Sequence, residues 1–409
     1  MAAQFPASEA VFGPPSDENP DKPMSPSRIY LDHNASTPLL DSARVATVEA
    51  LTATGNASSV HAEGRAVRAV IDKARQQVAA FAGVNAANVV FTSGATEAAN
   101  MVLAPDFAFG RTPQRFSALY VGASEHPCVL AGGRFAPDAV TILPVGGNGL
   151  LDLEVLAARL AAHYTDAGRP LVAVQAANNE SGVIQPLAEI AAIVKAHGGL
   201  LVVDAVQVAG RIPFAITGDY GDFFILSSHK MGGPRGAGAL IAADADRMPA
   251  PLIRGGGQEK GHRAGTEAVA LIAGFGAAAA DAAGRIARAG HLRELRDKLE
   301  TGLAVLGGVT VHGAGAPRLP NTTFFTLQGV KAQTAVMAYD LAGIAVSAGS
   351  ACSSGRVDAS HVLQAMGGDG TLGAIRISSG LDNAAADIDA VLAATAQLMA
   401  RHGGTSAAA

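Results

Sequence analysis

The stretch that decides the fold is F-F-I-L-S-S-H-K, residues 223–230. Its four apolar residues have the length and character of a buried β-strand, and a polar segment that ends in Lys230 follows directly. A second apolar run, Leu200 to Val203, ends in the same way at Asp204. Because ligands of parallel sheets bind where strands end, the two runs predict a lysine and an aspartate at one edge of a sheet.

A lysine amine and an ionised carboxylate in one site suit a Schiff-base cofactor with a protonated pyridine ring, which describes pyridoxal phosphate (PLP). Its phosphate needs an anion site, and residues 88–100, N-V-V-F-T-S-G-A-T-E-A-A-N, offer one. There a strand-like run passes through Gly94 into a helical pattern, so free N–H groups and a helix dipole would face an anion. Thr96 could add a hydroxyl donor. Read alone, Ser93 or Thr96 is an ordinary helix N-cap.

Length and composition restrict the class of protein. The 409 residues are 49% hydrophobic, which suits a large core in about two domains. The net charge of −5 gives no reason to expect a nucleic-acid partner. No uncharged apolar run reaches the length of about 18 residues that a membrane span needs, so we expect a cytoplasmic protein without a membrane partner. The two cysteines, Cys128 and Cys352, do not form a disulfide framework and suggest a reducing compartment.

Strand-like runs alternate with helical patterns between about residues 40 and 285, which predicts an α/β fold with a mostly parallel sheet. Residues 28–39 and 286–409 are expected to form a smaller α+β domain. Residues 1–27 contain six prolines and are expected to be a disordered tail. In the large domain the predicted strands are 88–92, 117–122, 140–144, 171–176, 200–203, 222–226 and 237–241, and the predicted helices are 60–81, 97–103, 151–163 and 186–197.

Two further residues are candidates for chemistry. His126, in S-E-H-P, follows a strand-like run, and an imidazole there could stack on a pyridine ring and exchange protons near neutral pH. Cys352 lies in S-A-G-S-A-C-S-S-G-R, residues 347–356, whose small residues predict an exposed and mobile loop. A thiol on such a loop is a candidate nucleophile, whereas packing is favoured for Cys128. The alternatives are an ordinary histidine and a tolerated free cysteine.

Two later segments suggest ligand contacts. Arg376, in A-I-R-I-S, could bind a carboxylate through two parallel hydrogen bonds, which suits an amino-acid substrate; a surface salt bridge is the alternative. The glycine-rich segment 254–266 is too irregular for regular structure, and Thr266 on it could reach a phosphate across a subunit interface. Neither common glycine-rich nucleotide motif occurs, and no metal site is predicted.

These residues, in this order, resemble the cysteine desulfurases of the NifS/IscS kind, within the class-V aminotransferase-like PLP enzymes. The likeness spans about residues 29–400 and depends on the whole ordered set, since no single motif would suffice. It implies PLP-dependent transferase fold type I and a homodimer with active sites near the interface. The matching pieces are Y-L-D-H-N-A-S-T-P (30–38), G-N-A-S-S-V-H (55–61), T-S-G-A-T-E (92–97), E-H (125–126), N-N-E-S-G (178–182), D-A-V-Q (204–207), S-S-H-K (227–230), R-A-G-T-E (263–267) and S-A-G-S-A-C (347–352).

The resemblance implies catalytic and ring-binding roles. Lys230 matches the Schiff-base lysine of the family, and Cys352 matches the cysteine that takes up sulfur. Asp204 matches the partner of the pyridinium nitrogen, and Gln207 the donor to the ring hydroxyl. His126 matches the histidine that stacks on the ring.

The resemblance also implies the contacts of the phosphate and of the substrate. Thr266 matches a residue that reaches the cofactor of the partner subunit, and Asn179 and Arg376 match those that hold the substrate carboxylate. The sequence departs from the family pattern at Ser36, where threonine is common, and at Ala57, where proline is usual. The remaining phosphate-binding positions are matched by Ala95, Thr96, Ser227 and His229.

The sequence therefore predicts an enzyme that converts L-cysteine to L-alanine and holds the sulfur as a persulfide on Cys352. The segment from Cys352 to Leu363 has the length found in the NifS and IscS group. An acceptor such as an iron–sulfur scaffold protein or a thiolation pathway would receive the sulfur. The alternatives are a selenocysteine lyase, another class-V aminotransferase, which would not need the loop thiol, and a non-catalytic platform in a sulfur-assembly complex.

Overall fold

A computed structural model describes residues 28–214, 216–349 and 360–403 of the chain. Its strands are β1 (Ile29–Tyr30), β2 (Val89–Thr92), β3 (Asp106–Phe109), β4 (Thr112–Gly122), β5 (Val140–Leu143), β6 (Arg169–Gln175), β7 (Leu200–Asp204), β8 (Phe223–Ser227), β9 (Gly238–Ala242), β10 (Arg247–Pro249), β11 (Val309–Val311), β12 (Thr322–Leu327), β13 (Ile344–Ala345), β14 (Ser347–Ala348) and β15 (Ile375–Ser378). Its α-helices are α1 (Asp41–Leu51), α2 (Ala62–Ala82), α3 (Ala95–Val102), α4 (Pro127–Leu130), α5 (Leu153–Ala161), α6 (Leu187–Ala196), α7 (Val269–Ala280), α8 (Ala282–Ile286), α9 (Ala289–Leu306), α10 (Ala332–Leu341), α11 (His361–Ala365) and α12 (Ala385–Gly403).

The large sheet has the strand order β10-β3-β4-β6-β7-β8-β9-β2, and β5 pairs with β4. Strands β4 to β8 run parallel to one another. Strand β9 is antiparallel to both β8 and β2, so β2 points in the same direction as the parallel strands. The carboxyl ends of β2, β4, β6, β7 and β8 therefore lie at one edge, which is where such sheets bind ligands.

The central strands are apolar throughout because both faces of the sheet are covered. In β8, Phe224 and Leu226 face one hydrophobic cluster, while Phe223 and Ile225 face the cluster on the opposite side. The first cluster includes residues of α2 and α7, and the second includes residues of α3. The predicted mostly parallel sheet between helical layers is confirmed.

Strands β3 and β10 and helix α1 were not predicted from the sequence, and β4 begins at Thr112 instead of the predicted residue 117. Strand β3 pairs with the first half of β4, and both are antiparallel and partly exposed there. Partly exposed strands near the end of a sheet carry mixed polar and apolar residues, so their hydrophobic pattern is weak. The other predicted strands differ from the observed ones by only a few residues at their ends.

A second, antiparallel sheet has the order β11-β12-β15-β14. It has a hydrophobic cluster of its own, which includes Leu31, Leu299, Phe325 and Ile377. Leu31 belongs to the N-terminal segment, where β1 pairs with β13. This separate core supports the predicted smaller domain, whose boundaries remain a prediction.

No single helix in the described ranges is long and apolar enough to cross a membrane. One bent pair, Val269–Ala280 with Ala282–Leu306, passes the same test of length and composition together, with a bend of 44°.

Candidate active site

A cleft of about 560 Å³ opens at the carboxyl edge of the large sheet. Five strand ends supply its wall, because the turns after β2, β4, β6, β7 and β8 all meet there. The structure brings together, on the wall of this cleft, most of the residues that the sequence singled out: Ala95, Thr96, His126, Asn179, Asp204, Gln207, Ser227, His229 and Lys230.

Lys230 lies in a short 3₁₀ turn that directly follows β8. Its Nζ donates hydrogen bonds to the carbonyl oxygens of Asn34 at 2.6 Å and Ala35 at 2.8 Å. The Thr37 hydroxyl in turn donates to the Lys230 carbonyl at 2.9 Å. The N-terminal turn thus wraps around the lysine and orients its amine. This turn belongs to the segment 30–38 that matches the family pattern, and no role was predicted for it from the sequence.

Asp204 is the last residue of β7 and faces the cleft. Burial raises the pKa of its carboxyl to about 6, although the Val206 N–H, which donates to Oδ1 at 3.0 Å, and the charge of Lys230 act in the opposite direction. A carboxylate that is costly to ionise gains most from a nearby cation. Asp204 is therefore suited to holding a protonated ring nitrogen.

His126 follows β4 and caps helix α4. Its Nδ1 accepts the backbone N–H of Cys128 at 3.2 Å and lies 3.0 Å from the Cys128 Sγ. Burial, followed by electrostatic repulsion from Lys230 and His361, lowers the pKa of His126 to about 4. The imidazole is therefore neutral near pH 7, and because Nδ1 accepts, the network assigns its proton to Nε2.

The predicted phosphate site is the N-terminus of α3. Gly94, Ala95 and Thr96 form the entry to this helix and line the cleft. Strand β9 passes closely beneath the turn, since a Cβ on Gly238 would lie 2.7 Å from the Cα of Gly94. Only glycine permits that approach, and the free N–H groups and dipole of α3 are thereby presented to the cleft.

Ser227, His229 and Arg235 lie on the same cleft wall. The His229 ring nitrogen Nδ1 is 3.3 Å from the Ser36 hydroxyl oxygen. Burial, followed by the charges of Lys230 and two arginines, lowers the pKa of His229 to about 4. Arg235 was not predicted, although an arginine between Pro234 and Gly236 directly after the lysine motif is a signal that sequence reasoning could have used. Its charge adds to the attraction for an anion.

Gln207 is held by a residue that the sequence analysis missed. The Oε1 of Gln207 accepts a hydrogen bond from Nη1 of Arg211 at 2.6 Å. The Nε2 of Gln207 donates one to the Asn34 carbonyl at 3.2 Å. Arg211 also donates to the His33 carbonyl at 2.9 Å. The amide orientation is therefore set by an arginine one helical turn later in the chain, a spacing of four residues that is visible in the sequence.

Asn179 and Arg376 are close to each other but differ in exposure to the cleft. Arg376 is fully buried, donates through Nη1 to the Asn179 carbonyl at 3.0 Å, and is not on the cleft wall. Asn179 lines the cleft, and its Oδ1 is buried without a hydrogen-bond partner in the part of the chain that the structure describes. A buried polar atom of this kind normally has a partner, which indicates that a ligand completes the site.

Thr266 lies outside the cleft. It lines a neighbouring cavity of about 70 Å³ together with Ser93 and Arg263. Glu259, on the same loop, forms an ion pair with Arg75 at 2.6 Å and accepts the Phe91 N–H of β2 at 2.9 Å. The loop is irregular, as predicted, and this buried carboxylate fixes it to the sheet.

Cys352 lies outside the described residues, between Gly349 and Ser360. The Ser360 hydroxyl donates to Oε2 of Glu180 at 2.5 Å and also caps helix α11. The next residue, His361, donates from Nε2 to the Glu125 carbonyl at 2.9 Å. The segment that carries Cys352 is thus followed by residues bound to the turns beside His126 and Asn179.

Comparison with known proteins agrees with this geometry. The family model described as aminotransferase class-V matches residues 29–391. A cysteine desulfurase of Cereibacter sphaeroides is 39% identical over 374 residues, which are 89% of this chain and 94% of that protein. An IscS-like cysteine desulfurase of Mycobacterium tuberculosis is 36% identical over 89% of this chain and 94% of that protein. The crystal structure of a NifS-like protein from Rickettsia africae superimposes with a TM-score of 0.81 at 34% identity, covering 91% of this chain and 99% of that one.

The chain therefore belongs to the class-V aminotransferase family, in the group of its cysteine desulfurases. The predicted family, fold and class of enzyme are confirmed.

Proposed function

We propose that this enzyme removes sulfur from L-cysteine, releases L-alanine and carries the sulfur as a persulfide on Cys352. The convergence of Lys230, Asp204 and His126 on one cleft beside the N-terminus of α3 is the observation that carries the proposal. A lysine amine, a carboxylate, an imidazole and an anion site are the groups that PLP chemistry requires.

The residues of the cleft fit PLP. The raised pKa of Asp204 and the unpartnered Oδ1 of Asn179 both indicate a polar ligand. Asp204 would hold the ring nitrogen, and Gln207 the ring oxygen. Lys230 would bind the aldehyde carbon, and the phosphate would be held by Ala95, Thr96, Ser227 and His229. When bound, PLP withdraws electrons from the substrate α-carbon and makes its proton acidic.

Side chains of the protein supply the base and the nucleophile. The Lys230 amine, oriented by two carbonyl oxygens, is the base for the α-proton. The Cys352 thiolate forms a bond to the substrate sulfur as the carbon–sulfur bond breaks. The electron pair of the broken bond stays with carbon, which takes up a proton to give alanine. Asn179, on the cleft wall, is proposed to direct the substrate carboxylate, and Arg376, predicted for the same role but buried off the cleft, is proposed to act through its hydrogen bond to the Asn179 carbonyl.

A direct test measures alanine and sulfide from L-cysteine with the wild-type enzyme and with Cys352→Ala and Lys230→Ala. We expect equal amounts of alanine and sulfide from the wild type in the presence of a thiol reductant. Cys352→Ala should keep the visible absorption of the bound cofactor but release no sulfide. Undiminished sulfide release by Cys352→Ala would contradict the assignment, as would activity of Lys230→Ala.

We further propose a homodimer. Two observations support it: Thr266 lies beside the cleft but not on it, and helix α1 exposes 54% of Val48 and 70% of Leu51. Covering these apolar residues with a second copy would be favourable. An iron–sulfur scaffold protein is the proposed sulfur acceptor, and the cytoplasm is the proposed compartment, since two cysteines in the whole chain suit reducing conditions.

A further inference from the structure

The second cysteine of the chain lies in the active-site cleft. Cys128 packs against one of the two large hydrophobic clusters, as the sequence analysis favoured, and it also lines the cleft. Its Sγ is 3.0 Å from Nδ1 of His126, and the Thr96 hydroxyl lies within hydrogen-bonding range of the same sulfur. The thiol therefore touches both the stacking histidine and the phosphate site.

The thiol is protonated under all ordinary conditions. Burial raises the pKa of Cys128 to about 12, and the negative charges of Asp204 and Glu125 act in the same direction, against the Thr96 hydroxyl. Such a group is an S–H donor and not a nucleophile. The Nδ1 atom already accepts the backbone N–H of residue 128 at 3.2 Å, so its lone pair is directed at this residue.

We propose that Cys128 is a positioning residue whose S–H donates to Nδ1 of His126 and holds the imidazole as its Nε2–H tautomer. The S–H and the backbone N–H of Cys128 then both donate to the lone pair of Nδ1. Together they fix the plane of the imidazole ring as well as its tautomer. The other edge of the ring presents an N–H donor to the cleft. The inference rests on the proposed function, because only there does His126 act on substrate or cofactor.

The hydrogen bond itself can be measured without catalysis. The chain has two cysteines, so in Cys352→Ser the Cys128 thiol is the only one present. Its S–H stretching band lies in an infrared window free of other protein bands and moves to lower frequency when the group donates a hydrogen bond. We expect a lowered band in full-length Cys352→Ser, with and without PLP, that rises in Cys352→Ser/His126→Phe. An S–H stretching frequency that is the same with and without His126 would overturn the proposal.

The functional consequence needs a matched pair of variants. Cys128→Ala removes the side-chain donor, whereas Cys128→Ser replaces it with another. Loss of one neutral hydrogen bond predicts that Cys128→Ala lowers kcat about fivefold with little change in KM, while Cys128→Ser retains most of the wild-type kcat. Equal losses in both variants would mean that the residue only packs, and would overturn the positioning role.

The imidazole ¹⁵N chemical shifts of His126 provide a third measurement on the full chain without cofactor. We expect the Nε2–H tautomer in all three proteins, because the backbone N–H of residue 128 still donates to Nδ1, and an Nδ1 resonance that shifts in Cys128→Ala but not in Cys128→Ser. An Nδ1 chemical shift that is the same in the wild type and in Cys128→Ala would overturn the proposal. Because the infrared and NMR measurements need no turnover, failure of the desulfurase assignment and failure of this inference give different results.

Discussion

Arg376 and Asp32 form an ion pair at 2.5 Å, between Nη2 and Oδ1, in which the arginine is fully buried. Asp32 lies in the N-terminal segment and bridges to Ser378, two residues after the arginine. A buried arginine needs compensation for the water that it has lost. The pair therefore joins the N-terminal segment to the sheet that carries Arg376.

The first prediction concerns this ion pair. Asp32→Asn removes a carboxylate that pairs with the buried Arg376 and should reduce the free energy of unfolding by about 3–5 kcal/mol. Urea denaturation would measure the loss. The matched control is Asp389→Asn, which breaks the ion pair with Lys298 on the surface and should cost at most about 1 kcal/mol. Similar small losses in both variants would show that Asp32 does not stabilise the buried charge.

The second prediction concerns Glu180, whose pKa is raised to about 7 by burial, against the Ser360 hydroxyl and the charge of Arg376. Between its unfolded pKa of 4.5 and about 7, the folded form keeps a proton that the unfolded chain has lost. Stability should therefore fall as pH rises through this range, by about 1.4 kcal/mol per pH unit from this group.

Glu180→Gln should remove that contribution, because glutamine does not titrate. Unfolding free energies measured from pH 5 to 7 would show a slope that differs from the wild type by the stated amount. Glu189→Gln, on the exposed surface of helix α6, is the matched surface control for the substitution itself. A wild-type slope in Glu180→Gln would disprove the assignment.

The third prediction concerns the turn that presents the phosphate site. Gly238→Ala places a methyl group 2.7 Å from the Cα of Gly94, so the turn or strand β9 must move. Overpacking of this kind costs about 1–3 kcal/mol, and we expect the Kd for PLP to rise at least tenfold. Gly218→Ala, where a Cβ would meet nothing within 4 Å, is the control. PLP affinity unchanged in Gly238→Ala would show that the close approach is not required.

The fourth prediction follows from the pKa of Asp204, about 6 before any ligand is bound. Only the ionised carboxylate attracts a protonated pyridine nitrogen. PLP affinity of the apoenzyme should therefore fall as pH decreases below about 6. In Asp204→Asn the PLP affinity should not show the fall near pH 6 that is due to Asp204. Protonation of PLP itself affects the wild-type and the variant titration equally, so it does not account for the difference between them. Parallel pH profiles would contradict the role of Asp204.

Much of the site was predictable because strand ends carry a clear signal. The apolar runs that end at Asp204 and Lys230 are buried on both faces, and they are parallel neighbours whose carboxyl ends must meet. The glycine turn before α3 could be predicted from its position between a strand-like run and a helical pattern. These features depend on residues that are neighbours in sequence.

Contacts between distant segments were not predictable in the same way. The carbonyl oxygens of Asn34 and Ala35 that hold Lys230 belong to residues almost 200 positions earlier in the chain, and backbone oxygens are the same in every residue. The hydrogen bond from Gln207 Nε2 to the Asn34 carbonyl likewise joins residues 173 positions apart. A residue type alone does not reveal such a partner.

The sequence by itself determined the alternation of strands and helices, the parallel sheet, and the strand ends that deliver Lys230 and Asp204, because hydrophobic periodicity and turn residues act locally. Only the tertiary structure decided which side chains are paired there. It placed Arg376 in a buried ion pair with Asp32 instead of on the cleft wall, and it left His126 neutral with Nδ1 directed at Cys128. The physical reason is that burial and long-range electrostatics depend on distances between segments, which exist only once the chain has folded.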